Sequence, residues 1–407
     1  MKKGYILVIL AVAAILAVGC AAPTPTTGGG GTTPAECATA GACAVIDAGK
    51  TIKIGVSGPT TGGDAAYGTD VQRGAEMALK DYGDLDGFKV ELAVEDDLGT
   101  PEGGSAAAQK LASDPQVVAV VGHSFSGATN AALPIYEKAN VPIMSPSATR
   151  IDLGTQGYKT FNRVVASDFF QGQKDAEFIA SLGVKNLAII HDGSPYGQGI
   201  AKRVQDVFTK GGGTVVDFVA LTVGDTDFSS ILNEVSSKKP DGVYFGGYQT
   251  EAAVLATQKA AAGLDKVPWM SGDGVFAENF TVLAKDSAEG YYVTTGVPPA
   301  GSDSITAFGV KYKAAYGDDL GKLTSYAPFA YDAANVLLAA VKSVAVVGAD
   351  GKLYVPRAAL VAAARATKGY KGVIGDITCS DIGECSPAGL AGFAVFQVKG
   401  GKFEEVK

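Results

Sequence analysis

The sequence predicts an α/β protein with two lobes, each a mostly parallel sheet flanked by helices. From residue 51 onward, short β-branched runs alternate with longer alanine-rich stretches. Strands and helices that alternate in this way form right-handed βαβ units and parallel sheets. The chain has 407 residues and eight strand candidates, which is too much for one such sheet, so we expect two.

The strand candidates are continuously apolar, as is typical of parallel strands that are covered on both faces. They are residues 51–58, 90–97, 117–122, 141–146, 186–192, 214–221, 241–247 and 267–272. Helical spacing is found between them, at Val71–Tyr82, Gly104–Ser113, Gln171–Leu182, Gly199–Lys210 and Glu251–Ala262. Glycines and polar residues follow the strand ends, where open α/β sheets bind ligands. We therefore look for site residues there.

The first 20 residues are typical of a lipoprotein signal peptide. Two lysines precede an apolar stretch from Tyr5 to Val18, which is shorter than the roughly 20 residues of a membrane span. The stretch ends in Ala-Val-Gly-Cys, which resembles a lipobox, so Cys20 is the expected lipid attachment site. The alternative is an ordinary signal peptide cleaved nearby, with Cys20 incidental. Residues 21–50 are rich in Pro, Thr and Gly and predict a flexible tether outside the fold.

The other four cysteines form two pairs of equal spacing, Cys37 with Cys43 and Cys379 with Cys385. Two short local disulfides are the simplest of the three possible connectivities, and an exported protein permits them. A zinc site built from four thiolates is the alternative, although CxxC knuckles are absent from the sequence. We therefore expect two disulfides, no metal and no cofactor.

Composition and motifs argue against several classes of function. A formal net charge of −8 disfavours nucleic-acid binding, which needs a basic face for phosphates. No G-x-G-x-x-G follows a strand, and no P-loop motif occurs. His123 and His191 have no evident catalytic partner. Both are expected to be strand-end residues whose ring nitrogens bond to the backbone. Asp96 and Asp97 could suggest a metal site, but a solvated strand end is the expected role. An enzyme is disfavoured because the sequence shows no nucleophile paired with a base.

Several sequence blocks resemble the leucine/isoleucine/valine-binding proteins, the substrate-binding components of branched-chain amino acid importers. The blocks are SGPTTGGDAAYG (57–68), GHSFSGATNAALPIYEKANVPIMSPSAT (122–149), IIHDGSPYGQGIA (189–201), DGVYFGGYQTEA (241–252) and WMSGDGV (269–275). The resemblance implies a two-lobed periplasmic-binding-protein type I fold that closes over its ligand by hinge motion.

The resemblance also implies how the chain is divided between the lobes. Lobe 1 is expected to contain residues 51–166 and about 297–378, and lobe 2 residues 167–296 and about 379–407. A three-strand hinge joins them, and the chain crosses it near residues 165–168, 295–298 and 375–385.

Three polar residues of the first lobe match ligand-binding positions of the family. Ser126 matches a serine that binds the ligand carboxylate, and Ser147 falls where a backbone carbonyl takes the ligand ammonium. Thr149 matches a threonine that contacts both charged groups. A buried zwitterion needs hydrogen-bonding partners at both ends, and these residue types supply them. Helix or turn capping is the alternative role for Ser126 and Thr149.

The second lobe is expected to supply two tyrosines and an acid. Tyr196 and Tyr248 match tyrosines that reach the ligand. Asp273 falls where the family has a glutamate that pairs with the ammonium, although Ser-Gly-Asp-Gly is also a good turn sequence. The ligand side chain is expected to contact three aromatic residues, Tyr67, Phe125 and Tyr326.

The predicted function is that of an extracytoplasmic solute-binding protein, a monomer held at the cell membrane by its lipid alone. It captures a branched-chain or other aliphatic amino acid and delivers this ligand to an ABC permease, without catalysis. The alternatives are a ligand-binding sensor and a binding protein for amides, urea or aromatic acids on the same fold. A repressor would need an N-terminal helix-turn-helix, and the signal segment occupies that place.

Overall fold

A computed structural model describes residue 1 and residues 32–298, 302–387 and 389–407. The predicted signal peptide and Cys20 therefore lie outside the described residues. Among the helices of the described ranges, none combines the length and the apolar character needed to cross a membrane.

The described chain contains seventeen strands, most of them short and buried. They are β1 (Cys43–Ile46), β2 (Ile52–Gly58), β3 (Val90–Asp96), β4 (Val117–Val121), β5 (Ile143–Ser145), β6 (Phe161–Arg163), β7 (Asn186–His191), β8 (Thr214–Ala220), β9 (Gly242–Gly246), β10 (Trp269–Ser271), β11 (Tyr292–Gly296), β12 (Val346–Val347), β13 (Leu353–Pro356), β14 (Tyr370–Gly372), β15 (Gly375–Ile377), β16 (Phe393–Lys399) and β17 (Lys402–Glu405). All eight strand candidates are confirmed, as β2 to β5 and β7 to β10.

Eleven α-helices connect these strands within the described ranges. They are α1 (Ala65–Tyr82), α2 (Pro101–Ser113), α3 (Ser126–Ala139), α4 (Asp168–Ser181), α5 (Pro195–Lys210), α6 (Ser229–Ser237), α7 (Gln249–Gln258), α8 (Glu278–Ala284), α9 (Asp303–Tyr316), α10 (Ala327–Val344) and α11 (Arg357–Arg365). The five predicted helices are present, but each begins earlier than predicted. In α2 and α5 the cause is a proline at the first turn, preceded by a Thr100 or Ser194 side chain that caps the helix.

Two large sheets define two lobes. Lobe 1 is built on a parallel five-stranded sheet of order β3-β2-β4-β5-β6. Lobe 2 is built on a seven-stranded sheet of order β17-β16-β11-β10-β9-β7-β8, in which β16 and β17 are antiparallel. Apolar clusters place α1 and α10 on one face of the first sheet and α2 and α3 on the other. In lobe 2, α4 and α5 cover one face and α6 to α8 the other.

The chain passes between the lobes three times. It leaves lobe 1 after β6, returns after β11, and leaves again between residue 385 and β16. This third passage comes later than the predicted segment 375–385, because the loop of residues 379–385 stays on lobe 1. There the Arg163 N–H donates to the Gly383 carbonyl at 2.9 Å, and the Cys385 N–H to the Arg163 carbonyl at 2.9 Å. The assignment of residues 379–385 to lobe 2 is therefore corrected.

The segment before β2 also differs from the expected tether over residues 21–50. Strand β1 pairs antiparallel with β13, and β12 pairs with the other edge of β13. Ala44 and Ile46 are each 1% exposed and belong to the lobe 1 core. Alternate residues of a strand share one face, so even four residues can bury two side chains. Residues 43–46 are therefore part of the fold.

Both cysteine pairs are disulfide-bonded, Cys37 to Cys43 and Cys379 to Cys385. The predicted pairing is confirmed, and the four-thiolate zinc site is excluded because no thiolate is left to bind a metal within these pairs. The first bond closes the segment that leads into β1, and the second closes the loop on β6.

The single tryptophan of the chain lies in the core of lobe 2. Trp269 on β10 is 2% exposed, and its Nε1–H donates to the Leu264 carbonyl at 2.8 Å. Its ring centroid lies 6.1 Å from that of Tyr291, and the Lys259 ammonium lies 5.9 Å from the ring. This environment belongs entirely to lobe 2.

Candidate ligand-binding site

A small cavity lies between the lobes at the carboxyl ends of their strands. Eight of the nine predicted site residues line it, all but Thr149, together with Ser124 and Gly274. Lobe 1 contributes the loop between β4 and α3 with the first residue of α3, the turn after β5, the first turn of α1 and the residue before α10. Lobe 2 contributes the first turns of α5 and α7 and the turn after β10. The structure therefore brings together residues that lie up to about 260 positions apart.

Asp273 occupies the centre of the cavity and begins a 3-10 turn over Asp273–Val275. Its Oδ1 accepts a hydrogen bond from the Tyr196 hydroxyl at 2.6 Å, and its Oδ2 accepts one from the Tyr326 hydroxyl. The Tyr67 hydroxyl donates to the Asp273 carbonyl at 3.0 Å. Tyr67 and Tyr326 belong to lobe 1, so Asp273 links the two lobes and the structure is a closed form.

A second contact across the cleft supports this description of the closed form. The Gln249 side-chain amide, at the start of α7, donates to the Gly63 carbonyl at 3.0 Å. The Asn279 amide, on α8, donates to the same carbonyl at 3.2 Å. The turn before α1 is therefore held by two elements of lobe 2.

Aromatic rings form the apolar half of the cavity. Phe125 and Tyr248 stack across the cleft with centroids 4.0 Å apart and planes at 13°. Tyr67 meets Phe125 edge to face at 5.3 Å. The volume of the whole cavity is about 10 Å³, roughly what one water molecule needs. The lining residues must therefore move apart to admit an amino acid.

The lobe 1 loop presents hydrogen-bond donors next to these rings. Ser126 is the first residue of α3, and Phe125, not Ser126, is the N-cap. The Ser126 Oγ accepts from the Arg150 N–H at 3.2 Å, which leaves its hydroxyl proton available. The Ser124 Oγ is buried without a hydrogen-bond partner among the described residues. Since N–H groups of a first helical turn lack intrahelical partners, this end of the cavity suits an anion.

Ser147 faces the same loop, because its hydroxyl donates to the Ser124 carbonyl at 2.8 Å. The side chain is therefore occupied by a structural hydrogen bond. Its backbone carbonyl, which is the predicted ligand contact, is not used by that bond.

Asp168 is a buried carboxyl group near the cavity that the sequence analysis did not identify as a ligand contact. It does not line the cavity, but Asp273 does, and burial and the charge of Asp273 raise the pKa of Asp168. It is the first residue of α4 and is fully buried, and neither of its carboxylate oxygens has a partner among the described residues. Thr149 is adjacent, since the Asp168 N–H donates to the Thr149 carbonyl at 2.8 Å. The buried Thr149 hydroxyl is near enough to Asp168 to lower its pKa against the effect of burial, but among the described residues it has no partner within full hydrogen-bond distance. A buried carboxylate without a counter-charge is costly, so this pair suits a cationic group.

Three buried carboxyl groups, Asp168, Asp175 and Asp273, lie close enough to influence one another, and Asp273 lines the cavity. Burial raises the pKa of Asp168, and the nearby charge of Asp273 raises it further. Burial also raises the pKa of Asp273, while hydrogen bonds from Tyr196 and Tyr326 act in the opposite direction. Burial raises the pKa of Asp175 to about 8, against hydrogen bonds from Thr294 and Tyr244. A positive charge placed near Asp168 and Asp273 is therefore favoured, whereas both oxygens of Asp175 already have partners.

His123 and Asp97 form a buried network below the lobe 1 loop, which corrects the expected solvated Asp97 and backbone-bonded His123. The His123 Nδ1 lies 2.7 Å from Asp97 Oδ2 and 3.0 Å from Ser57 Oγ. The His123 Nε2 lies 3.1 Å from the Tyr136 hydroxyl. All four side chains are buried. The network supports the loop that carries Ser124.

Comparison with known proteins gives a consistent picture. The family model described as periplasmic binding protein matches residues 51–402. The leucine-, isoleucine-, valine-, threonine- and alanine-binding protein of Pseudomonas aeruginosa is 36% identical over 264 residues, which cover 64% of this chain and 70% of that protein. The Leu/Ile/Val-binding protein homolog 1 of Brucella abortus is 31% identical over 338 residues, 82% of this chain and 87% of that protein.

Solved structures agree in overall shape. A leucine-binding protein of Thermotoga maritima superposes with a TM-score of 0.78 at 29% identity, covering 88% of this chain and 98% of that one. A branched-chain amino acid transporter substrate-binding protein of Streptococcus pneumoniae, in complex with isoleucine, superposes with a TM-score of 0.77 at 28% identity. The superposition covers 88% of this chain and 99% of the Streptococcus pneumoniae protein.

Proposed function

Because the chain belongs to the periplasmic binding protein family, among relatives that serve branched-chain amino acid ABC transporters, we propose that it captures one aliphatic amino acid between its lobes. The bound amino acid, branched-chain in the first instance, is delivered to an ABC permease, and the protein catalyses no reaction. It works outside the cytoplasm as a monomer and is anchored through a lipid on Cys20.

The observation that carries this proposal is the pair of buried, unpartnered groups at Asp168 and Thr149. An α-ammonium group placed there would donate to the Asp168 carboxylate, the Thr149 hydroxyl and the Ser147 carbonyl. A cation also relieves the repulsion between Asp168 and Asp273. Asp273 supplies a second negative charge, although two tyrosine hydroxyls already bond to its oxygens.

The carboxylate end of the ligand matches the start of α3. The Ser126 hydroxyl and N–H, together with the Ser124 hydroxyl, are donors of the kind that a carboxylate accepts. The helix dipole adds a favourable interaction of about 0.3–1 kcal/mol at such a terminus. Donors at one end and acids at the other match the two charges of an amino acid.

The aromatic rings suit an aliphatic side chain. Phe125, Tyr67 and Tyr248 present ring faces and edges, and buried apolar area contributes roughly 25 cal/mol per Å². Because the rings come from both lobes, the ligand gains these contacts together only when the lobes close. The leucine and isoleucine named for the two structural neighbours fit the same ligand class.

Isothermal titration calorimetry on the full chain in detergent tests the proposal. The protein is first unfolded without reductant and refolded, so that co-purified ligand is removed. Leucine, isoleucine or valine should bind. Two matched controls lack one charge each, 4-methylpentanoate without the ammonium and 3-methylbutylamine without the carboxylate. Each should bind at least about 100-fold more weakly than leucine. Benzoate, an amide or 4-methylpentanoate binding as tightly as leucine would contradict the proposal.

A further inference from the structure

We propose that the disulfide-closed loop of residues 379–385 positions the ligand site, acting through Glu384 and Arg163. The inference rests on the proposed function, because it concerns the affinity of the same site. Its consequence is that the two disulfides differ in role. Opening Cys379–Cys385 weakens ligand binding, and opening Cys37–Cys43 does not.

The loop is docked on the edge of the lobe 1 sheet. Besides the two backbone hydrogen bonds with Arg163, Glu384 forms a parallel bridge with Arg163 on β6. Gly383 makes this approach possible, because its φ of +82° favours glycine and an added Cβ would lie 2.2 Å from the Phe161 carbonyl oxygen. The position of the loop relative to β6 is therefore closely defined.

Docking places the Glu384 carboxylate on a buried guanidinium. The Arg163 Nε lies 3.0 and 2.9 Å from the two Glu384 oxygens, and its Nη2 lies 2.5 Å from Oε1. The Arg163 side chain is 1% exposed, whereas that of Glu384 is 28% exposed. A buried guanidinium requires a counter-charge, and Glu384 supplies it in a bidentate pair.

The same guanidinium holds the ligand loop. The Arg163 Nη1 donates to the Ala148 carbonyl at 3.0 Å and to the Arg150 carbonyl at 2.7 Å. These two carbonyls flank Thr149, one of the proposed ammonium ligands. The path from the disulfide to the site is therefore short, passing through Glu384 and Arg163 to the backbone on both sides of Thr149.

Charge leads to the same conclusion. Besides holding the loop, Arg163 acts on Asp168, whose pKa its positive charge lowers. Without Glu384, the buried Arg163 guanidinium would lack its counter-charge. The Asp168 carboxylate would then be an alternative partner for it. An arginine attracted toward Asp168 competes with the ligand ammonium for the same group. Glu384 therefore keeps Asp168 available to the ligand.

The disulfide makes the loop position persistent. Cys385 is fully buried and Cys379 is 8% exposed, both within the lobe 1 core. Inside the loop, the Ser380 N–H donates to the Glu384 carbonyl at 2.8 Å. Covalent closure removes the conformations in which a loop on a sheet edge peels away. Cys37–Cys43 closes the segment before β1, where the neighbouring strand is β13.

The test compares four variants of the full chain with wild type by calorimetry with leucine. Cys379→Ser/Cys385→Ser and Glu384→Gln should each raise the Kd about tenfold or more, since hydrogen bonds to charged groups of this kind contribute at that level. The matched control is Cys37→Ser/Cys43→Ser, which loses a disulfide of the same sequence separation and should stay within about twofold. Titrations are made well below each melting temperature, and Glu384→Asp, which keeps the charge, should recover part of the affinity.

The outcomes separate this inference from the function on which it rests. Wild-type leucine binding with an unchanged Kd in Glu384→Gln, or equal losses in the two disulfide variants, would overturn the positioning role alone. A wild-type chain that binds no amino acid would overturn the proposed function and this inference together.

Discussion

Replacing Asp168 with asparagine should change ligand affinity and unliganded stability in opposite directions. The carboxylate is fully buried, and neither of its oxygens has a hydrogen-bond partner among the described residues. In the complex it is proposed to pair with the ligand ammonium. Removing one partner of a buried charge pair costs about 3–5 kcal/mol, so the Kd for leucine should rise by about 150- to 4,000-fold.

The unliganded protein should respond in the opposite sense. Burial and the charge of Asp273 raise the pKa of Asp168, so an ionised Asp168 is destabilising near neutral pH. Asparagine cannot ionise, and Asp168→Asn should therefore melt at a higher temperature than wild type when ligand is absent. A side chain with only a packing role would instead lose stability on substitution.

Calorimetry with leucine and thermal melts without ligand, both at pH 7, measure the two effects. Asp175→Asn is the matched control, because it makes the same change seven residues later on α4. Both Asp175 oxygens already have partners, and its pKa of about 8 leaves it mostly protonated at pH 7. The control should change the Kd by less than about threefold. A Kd for Asp168→Asn within the same range would refute its assignment to the ammonium.

Three further predictions concern other parts of the molecule. Phe125→Ala removes the ring that stacks on Tyr248, so leucine should bind about tenfold more weakly while larger side chains gain in relative affinity, as competition calorimetry would reveal. Ile46→Ala should cost about 2–5 kcal/mol of unfolding free energy in denaturant titrations, because Ile46 is 1% exposed, whereas a residue in a free tether would cost almost nothing. Burial raises the pKa of Asp175 from 3.8 to about 8, so its stabilising contribution is complete below pH 3.8 and lost as the pH rises through 8. Asp175→Asn should therefore gain stability relative to wild type as the pH rises, and parallel pH profiles in thermal melts would contradict this.

Local pattern predicted much of the fold, because parallel strands buried on both faces show as β-branched runs. The exceptions are informative. Strand β6 has only three residues and includes Asn162 and Arg163, so no apolar run marks it. Strand β1 lies in a segment of alanine, threonine and glycine, and only its pairing with β13 reveals it. Such strands are defined by their neighbours in space.

The candidate site shows the same division. Residues directly after strands, such as Ser147 and Tyr248, were accessible to a rule about strand ends. Tyr67 and Tyr326 lie at helix starts and were identified only through the family resemblance. Asp168 was assigned to the hinge alone, although an acid that opens a helix right after a lobe crossing was a usable signal. The Arg163–Glu384 pair spans 221 positions, and nothing local in the sequence indicates it.

Because the single tryptophan, Trp269, lies in the core of lobe 2, its fluorescence can show how the unfolding of the two lobes is coupled. Excited selectively, the indole follows the unfolding of lobe 2, while far-ultraviolet circular dichroism averages over both lobes. Coincident denaturation curves from the two signals indicate a single cooperative unit, and separated curves indicate lobes that unfold in turn. A ligand that contacts both lobes adds its binding free energy only while both are folded. Saturating ligand should therefore draw separated curves together, which makes cooperativity between the lobes measurable in the unmodified chain.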